Sequence, residues 1–390
     1  MGYRTYTCPI ARQCGGCEWL SVPYPIQLQR KQDALADLFG DLAKTDGCTI
    51  SPIVGMNEPR AYRYKAATPF APGTRGRIRS GFFAHGTHRI VPCAECLVEE
   101  ASLRPILNSV ARIAERIGVS AYHEDTGRGL LRHAIVRKAL VGKEVLFTLV
   151  TNGNHIPQEL RFVDGILSAH PEITTIVQNI NTRRTNAMLG NRNNVLYGKG
   201  IIHDSLLGCT FELGATSFYQ TNPKQTEKLY ALAIDGAQLK PGMRLLDAYC
   251  GTGTIGLCAA HSCKDLELVG VERGEEAIVN AKRNARANQL EKTTRFVRAD
   301  ATEYLASGKR AGGAYDVIML DPPRAGSTPE FLSAASACNP QRIVYISCNP
   351  QTQARDLWFL RQKGWKLMSL IPVDMFPHTK HVETIAVLSR

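Results

Sequence analysis

The chain has 390 residues, 44% of them hydrophobic and 21% charged, a balance that suits two or three folded domains with buried cores. No apolar run approaches ~18 residues and the first residues lack the apolar stretch of a secretion signal, which excludes a membrane-spanning helix and leads us to expect a cytoplasmic protein. With 47 Lys+Arg against 35 Asp+Glu, the net charge of +12 favours a polyanionic partner such as nucleic acid, because neutralised phosphates release counterions.

Residues 1–100 read as irregular, with many Gly and Pro and a single helix over Ile26–Leu42. Leu103, Ile106, Leu107, Val110, Ile113 and Ile117 share one face of a helix over 103–119. A β-rich stretch follows, with strands Leu131–Val141, Glu144–Val150 and Thr175–Asn181, a Gly142-Lys143 hairpin turn and a helix over Ile156–Ala169. Arg183, Arg184, Arg192 and Lys199 belong to what reads as a basic, Asn-rich loop.

From about Leu239 strands alternate with helices. The strands are Arg244–Ala248, Leu266–Val271, Arg295–Ala299, Asp316–Leu320 and Arg342–Ser347; the helices are Thr254–His261, Glu275–Asn288, Pro329–Ala337 and Gln351–Lys363. That alternation predicts a doubly wound, mainly parallel sheet. Two closing strands, Leu367–Met375 and Val382–Leu388, have no helix between them and must pair antiparallel.

The first turn of this α/β region, Asp247-Ala248-Tyr249-Cys250-Gly251-Thr252-Gly253-Thr254, follows a strand and opens a helix, where glycines let the backbone approach a ligand. Gly251 and Thr254 are therefore cofactor-binding candidates. Glu272 ends the second strand, where a carboxylate suits the two hydroxyls of a ribose, and Asp300 ends the third, where it suits an adenine amino group. A nicotinamide-dependent oxidoreductase shares these features. Asp321-Pro322-Pro323-Arg324 decides against it: this rigid turn after the fourth strand presents a wall for a planar base at the sheet's carboxyl edge, which suits methyl transfer from S-adenosylmethionine.

Cys348 ends the fifth strand just before a helix N-terminus, a field expected to stabilise a thiolate. Carbon 5 of uracil needs such a group, since a thiolate adding at carbon 6 makes carbon 5 an enolate nucleophile, after which a base must remove the carbon 5 proton. Glu383, in the apolar closing strand, is the candidate base, with a raised pKa if buried. His378 and His381 fit equally well as orienting groups or as structural histidines.

Together with Ser217-Phe218-Tyr219-Gln220-Thr221-Asn222 and Met375-Phe376-Pro377-His378-Thr379-Lys380-His381-Val382-Glu383, these motifs give the C-terminal half a resemblance to the RNA 5-methyluridine (uracil-C5) methyltransferase family. The resemblance implies a class I, Rossmann-like α/β methyltransferase fold. It also implies donor contacts from Gln220, Tyr249, Glu272 and Asp321, with Cys348 as nucleophile and Glu383 as base. Tyr249 stands where Phe is common in the family and Thr254 where Asn is common; neither change is expected to remove activity.

Among twelve cysteines, Cys8, Cys14, Cys17, Cys93 and Cys96 gather early in the chain, with Cys48 apart. In a long chain without a secretion signal this points to metal or catalysis before disulfides. By pattern alone a [4Fe–4S] cluster and a four-cysteine zinc site both fit. Members of the resembled family that act on ribosomal RNA carry a [4Fe–4S] cluster of three-plus-one arrangement, which implies Cys8, Cys14, Cys17 and Cys96 as ligands and 23S rRNA as the RNA partner, with tRNA the alternative. Three regions are expected: an iron–sulfur region at 1–100, a central β-rich RNA-binding domain at 101–210, and the Rossmann-like catalytic domain at 211–390. An N-terminal β-barrel RNA-binding domain is not expected, and no protein partner is inferred.

Overall fold

The computed structural model describes residues 4–307 and 314–390. Helix α1 (Ala11–Cys14) precedes the long helix α2 (Tyr24–Asp46), which extends the expected Ile26–Leu42 at both ends. Pro25 sits in its first turn, where a missing N–H costs nothing, and Gly47 ends it at φ 70°, its N–H reaching the carbonyls of Ala43 and Lys44.

Residues 65–91 are not irregular, as the sequence suggests, but hold strands β1 (Lys65–Pro72), β2 (Ile78–Ser80), β3 (Phe82–Phe83) and β4 (Ile90–Val91). Pro69 and Pro72 argue against a strand, yet β1 tolerates them because it changes partner along its length. It pairs with β5 (Leu131–Lys138) through Lys65–Pro69 and with β2 through Phe70–Pro72. Helix α3 (Leu103–Arg116) lies between these elements in the chain and stops short of the expected residue 119, the chain turning at Gly118 with φ 72°.

Strands β6 (Val145–Thr151), β7 (Thr175–Ile180) and β8 (Arg192–Tyr197) complete a sheet ordered β2-β1-β5-β6-β7-β8, with helix α4 (Glu159–Ala169) as the crossover between β6 and β7. The apolar faces of α3 and α4 pack against this sheet around Leu107, Val110, Phe147 and Phe162. Arg183 and Arg184 lie in the loop after β7, as expected. Arg192 does not; it opens the exposed edge strand β8, and Lys199 occupies the turn that leads to β9 (Ile201–Leu206). β9 pairs antiparallel with β10 (Cys209–Gly214) in a separate ribbon.

Helix α5 (Pro223–Ala237) leads into the alternating region: β11 (Arg244–Ala248), α6 (Thr254–Ser262), β12 (Glu267–Glu272), α7 (Glu275–Ala287), β13 (Thr294–Arg298), α8 (Ala301–Ala306), β14 (Val317–Leu320), α9 (Pro329–Ala337), β15 (Arg342–Ser347), α10 (Pro350–Gln362), β16 (Lys366–Val373) and β17 (Glu383–Ser389). These strands form one sheet ordered β13-β12-β11-β14-β15-β17-β16, parallel except for β17, which runs against both neighbours. This is the expected class I methyltransferase architecture. Each face carries its own apolar layer, one around Phe211, Leu257 and Ile385, the other around Phe331, Tyr345 and Trp365. Leu35, Phe39 and Leu42 of α2 join the second layer, so a helix from the start of the chain packs on the C-terminal sheet. Among the described residues no helix is long and apolar enough to cross a membrane.

Candidate active site

A cavity of about 880 Å³ opens at the carboxyl edge of the seven-stranded sheet. The strand order reverses direction there, between β11 and β14, and ligands of open α/β sheets bind at such a point. Gln220, Tyr249, Gly251, Thr254, Glu272, Asp300, Asp321, Cys348 and Glu383 all line it. Residues spread over more than 160 positions of sequence thus share one space.

The glycine turn forms its floor. Gly251 and Gly253 have φ 54° and 79°, and a Cβ on Gly253 would meet the Phe296 ring at 2.9 Å, so the turn requires glycine. Tyr249 adopts φ 63° without being glycine, a strained conformation of the kind that collects at functional sites, its ring 5.3 Å from that of Phe331. Glu272 accepts from the Gly274 N–H at 2.7 Å and faces the Gly251 N–H at 3.3 Å, which fixes its carboxylate at the rim. Asp300 caps α8 by accepting from the N–H groups of Thr302 and Glu303. The buried hydroxyls of Tyr219 and Thr252 have no hydrogen-bond partner among the described residues. A positive-φ glycine turn, a carboxylate fixed at the rim and unpaired polar atoms suit the nucleoside part of S-adenosylmethionine.

Strand register brings the reacting side together. Ser347 of β15 stands opposite Thr384 of β17, so Cys348 and Glu383 are the next positions along the same antiparallel ladder. Glu383 is buried, and burial together with the Asp321 charge raises its pKa, as its apolar strand predicts. Asp321 is raised as well, chiefly by burial. The expected thiolate-stabilising field is not what Cys348 experiences. α10 does begin beside it at Pro350, but burial and the carboxylates of Glu383 and Asp321 push the thiol up, opposed first by a backbone N–H and then by Arg324. His378 proves structural: its Nδ1 accepts from Gln27 Nε2 at 3.1 Å and its Nε2 donates to the Pro59 carbonyl at 2.9 Å. His381 lines the cavity.

The sequence does not reveal Arg63, Phe218 or Phe376 as cavity residues. Arg63 carries no motif and lies 285 positions before Cys348; only the packing of the early chain on the catalytic sheet brings it there.

Cys8, Cys14, Cys17 and Cys96 are all half-buried. Burial pushes the Cys17 thiol up to about 12, with Cys96, Cys14 and Cys8 adding to the effect and Arg63 opposing it, so the four sulfurs are electrostatic neighbours. Gly15 ends α1 at φ 66° against the His85 ring, its N–H donating to the Ala11 carbonyl. Cys93 is buried, its thiol donating to the Glu95 carbonyl at 3.0 Å. Among the described residues no three His, Cys, Asp or Glu side chains are gathered closely enough to hold a metal ion.

Comparison with known proteins agrees with this geometry. Residues 208–390 match the family described as tRNA (uracil-5-)-methyltransferase. An uncharacterized RNA methyltransferase of Staphylococcus aureus is 40% identical over 98% of this chain and 83% of its own length, and one of Halalkalibacterium halodurans is 39% identical over 98% and 82%. Among solved structures, the tRNA (uracil-54, C5)-methyltransferase of Pyrococcus abyssi in complex with S-adenosyl-L-homocysteine is similar over 98% of this chain and 87% of that one, with a TM-score of 0.78 and 26% identity.

Proposed function

The chain belongs to the S-adenosylmethionine-dependent RNA uracil-5 methyltransferase family, and from that premise we propose that it methylates carbon 5 of a specific uridine in 23S rRNA through a covalent bond from Cys348 to uracil carbon 6. The observation that carries the mechanism is that Cys348 and Glu383 fall together at the step that follows the Ser347–Thr384 pair, in the cavity that also holds the glycine turn.

The Cys348 sulfur adds as thiolate to carbon 6, and the electron pair of the 5,6 double bond moves into an enolate on the uracil. When bound, S-adenosylmethionine supplies a methyl group on a positively charged sulfur, an electrophile whose charge also favours ionised Cys348 and Glu383. Glu383 then removes the carbon 5 proton, the double bond re-forms and Cys348 leaves as thiolate. A raised pKa suits Glu383 to this task, because a base poised near operating pH both takes and releases a proton readily. Asp321, Pro322 and Pro323 wall the space where the planar base enters.

Cys8, Cys14, Cys17 and Cys96 would hold a [4Fe–4S] cluster. Zinc demands four sulfurs on one ion at about 2.3 Å, whereas the cube spreads them over four irons, which suits neighbouring but ungathered thiols. The role of such a cluster is structural, tying the early loops to one another. Arg183, Arg184, Arg192 and Lys199, all exposed in edge strand β8 or the loops flanking it, offer contacts to RNA phosphates.

The cysteine set favours ribosomal RNA, while the likeness to the Pyrococcus abyssi tRNA enzyme favours transfer RNA as the rival target. Mapping 5-methyluridine in both RNA pools from cells lacking the protein separates them. For the chemistry, RNA containing 5-fluorouridine should trap the wild-type protein as a covalent adduct and leave Cys348→Ala free. An adduct on the alanine variant would overturn the role given to Cys348.

A further inference from the structure

A second cavity, of about 360 Å³, adjoins the first, and the two share Arg324, Cys348, His381 and Val382. None of the candidate donor residues apart from this shared edge lines it: the glycine turn, Glu272, Asp300 and Asp321 all face the first cavity alone. It therefore lies on the substrate side of the nucleophile. Its walls combine an apolar face from Leu35 and Leu38 with a half-buried indole, Trp19, and the exposed cations Arg30 and Lys380.

Trp19 is held in place rather than merely exposed. Its main-chain N–H donates to the His378 carbonyl and its own carbonyl accepts from Gln27 Nε2, each at 3.0 Å. The Arg30 guanidinium and the Lys31 ammonium each stand over the ring, 5.9 Å from its centroid. Lys31 is committed to Asp374 at 2.7 Å and Lys380 to Glu18 at 3.4 Å, whereas Arg30 makes no salt bridge among the described residues. An indole fixed through its backbone, covered by a guanidinium that no carboxylate holds, is chemistry that receives one nucleotide of a single strand: the guanidinium moves to the phosphate and the base takes its place on the ring.

Resting on the uracil methylation proposed above, we infer that this second cavity seats the nucleotide next to the target uridine, its base stacked on Trp19 and its phosphate paired with Arg30. A uridine held at Cys348 is part of a polymer, and its neighbour must lie against whatever adjoins that position. The adjoining space has both the size of a nucleotide and the groups to recognise one. The inference makes Trp19 a determinant of which flanking sequence is accepted.

The test is equilibrium binding of trinucleotides with a central uridine to the S-adenosylhomocysteine-loaded protein. Each flanking base is replaced in turn by an abasic ribose. Removing one of the two should weaken binding to the wild type roughly tenfold, the lower end of what a stacked base contributes. Trp19→Ala should bind the intact trinucleotide that much more weakly and show no further loss with the abasic one, while Trp19→Phe keeps the discrimination. Arg30→Gln should lower the slope of log Kd against log salt by about 0.7, one single-strand phosphate contact. Undiminished flanking-base discrimination in Trp19→Ala would overturn the assignment. Binding ratios judge the second cavity whatever the chemistry, and failure of the wild type to form a 5-fluorouridine adduct would count against uracil methylation instead.

Discussion

Lys31 and Asp374 form an ion pair, Nζ to Oδ1 at 2.7 Å, with both side chains almost wholly buried. The same ammonium donates to the carbonyls of His381 at 2.7 Å and Phe376 at 3.3 Å, and the Tyr24 hydroxyl donates to the other Asp374 oxygen at 2.8 Å. Helix α2 thereby fastens both ends of the segment 374–381 that delivers Glu383 to the cavity. Burial lowers the Lys31 pKa, and Asp374 opposes that shift.

Removing one partner should therefore be far worse than removing both. Lys31→Met leaves a buried carboxylate uncompensated and is expected to cost about 3–5 kcal/mol, while Lys31→Met combined with Asp374→Leu recovers most of it. Urea midpoints of the three proteins check this. Equal loss in the single and double variants would mean that the pair contributes nothing as a pair.

Glu383→Gln keeps the shape of the closing strand but removes the base. Methylated RNA should then remain attached through Cys348, appearing as a denaturation-resistant complex, and turnover should fall by about 10²–10⁴. Unchanged turnover would take the proton-removing role away from Glu383.

The pH dependence follows from the signs of the shifts. Cys348 and Glu383 must both be ionised at their steps, and both are held above their ordinary ranges. Activity should accordingly rise with pH and begin to fall toward acid well above ~4.3, the ordinary glutamate value. Asp321 raises both groups, so Asp321→Asn, measured as kcat at saturating donor, should move this limb to lower pH. A limb that stayed in place would uncouple Asp321 from the reacting pair.

Much of the catalytic half was legible because strand–helix alternation is local, and because the candidate groups sit at strand ends, where an open sheet exposes them. Register was not legible: that Cys348 faces Glu383 depends on Ser347 pairing with Thr384, a long-range fact. β1 was hidden by its two prolines, and β2, β3 and β4, at two or three residues each, are too short to show a period of two. The polar edge strand β8, exposed along most of its length, carries no burial pattern to read and so resembles a loop. The thiolate expectation at Cys348 failed because a helix terminus acts weakly against burial beside two carboxylates.

Stability should also depend on pH. Burial pushes Asp247 up to about 8, reinforced by Asp321 and Glu272 and opposed by the Gly256 N–H at 3.1 Å. The folded protein then holds a proton that the unfolded chain, with an ordinary aspartate near ~3.9, gives up. Between those two values stability should fall as pH rises, by at most about 1.4 kcal/mol per unit for this group, and the loss should cease above about 8. Donor-free protein should show a lower urea midpoint at alkaline than at mildly acidic pH, and Asp247→Asn should flatten the dependence. A midpoint that rose across the same window would contradict the neutral, buried form of Asp247.

The proposed cluster distinguishes two cysteines only three positions apart. Cys96 acts on Cys17, and Cys93 in turn feels Cys96 and Cys14, but the Cys93 thiol is turned to the Glu95 carbonyl of its own loop. Protein prepared without oxygen should be brown, absorbing near ~400 nm through thiolate-to-iron charge transfer, with four irons per chain. Cys96→Ser should lose most of that absorbance and iron, while Cys93→Ser keeps both. Chelation of the iron should lower the melting temperature, since the cluster would link loops that otherwise have little apolar surface to hold them. A colourless protein containing one zinc would assign the same thiols to a different metal, and loss of iron in Cys93→Ser alone would exchange the fourth ligand.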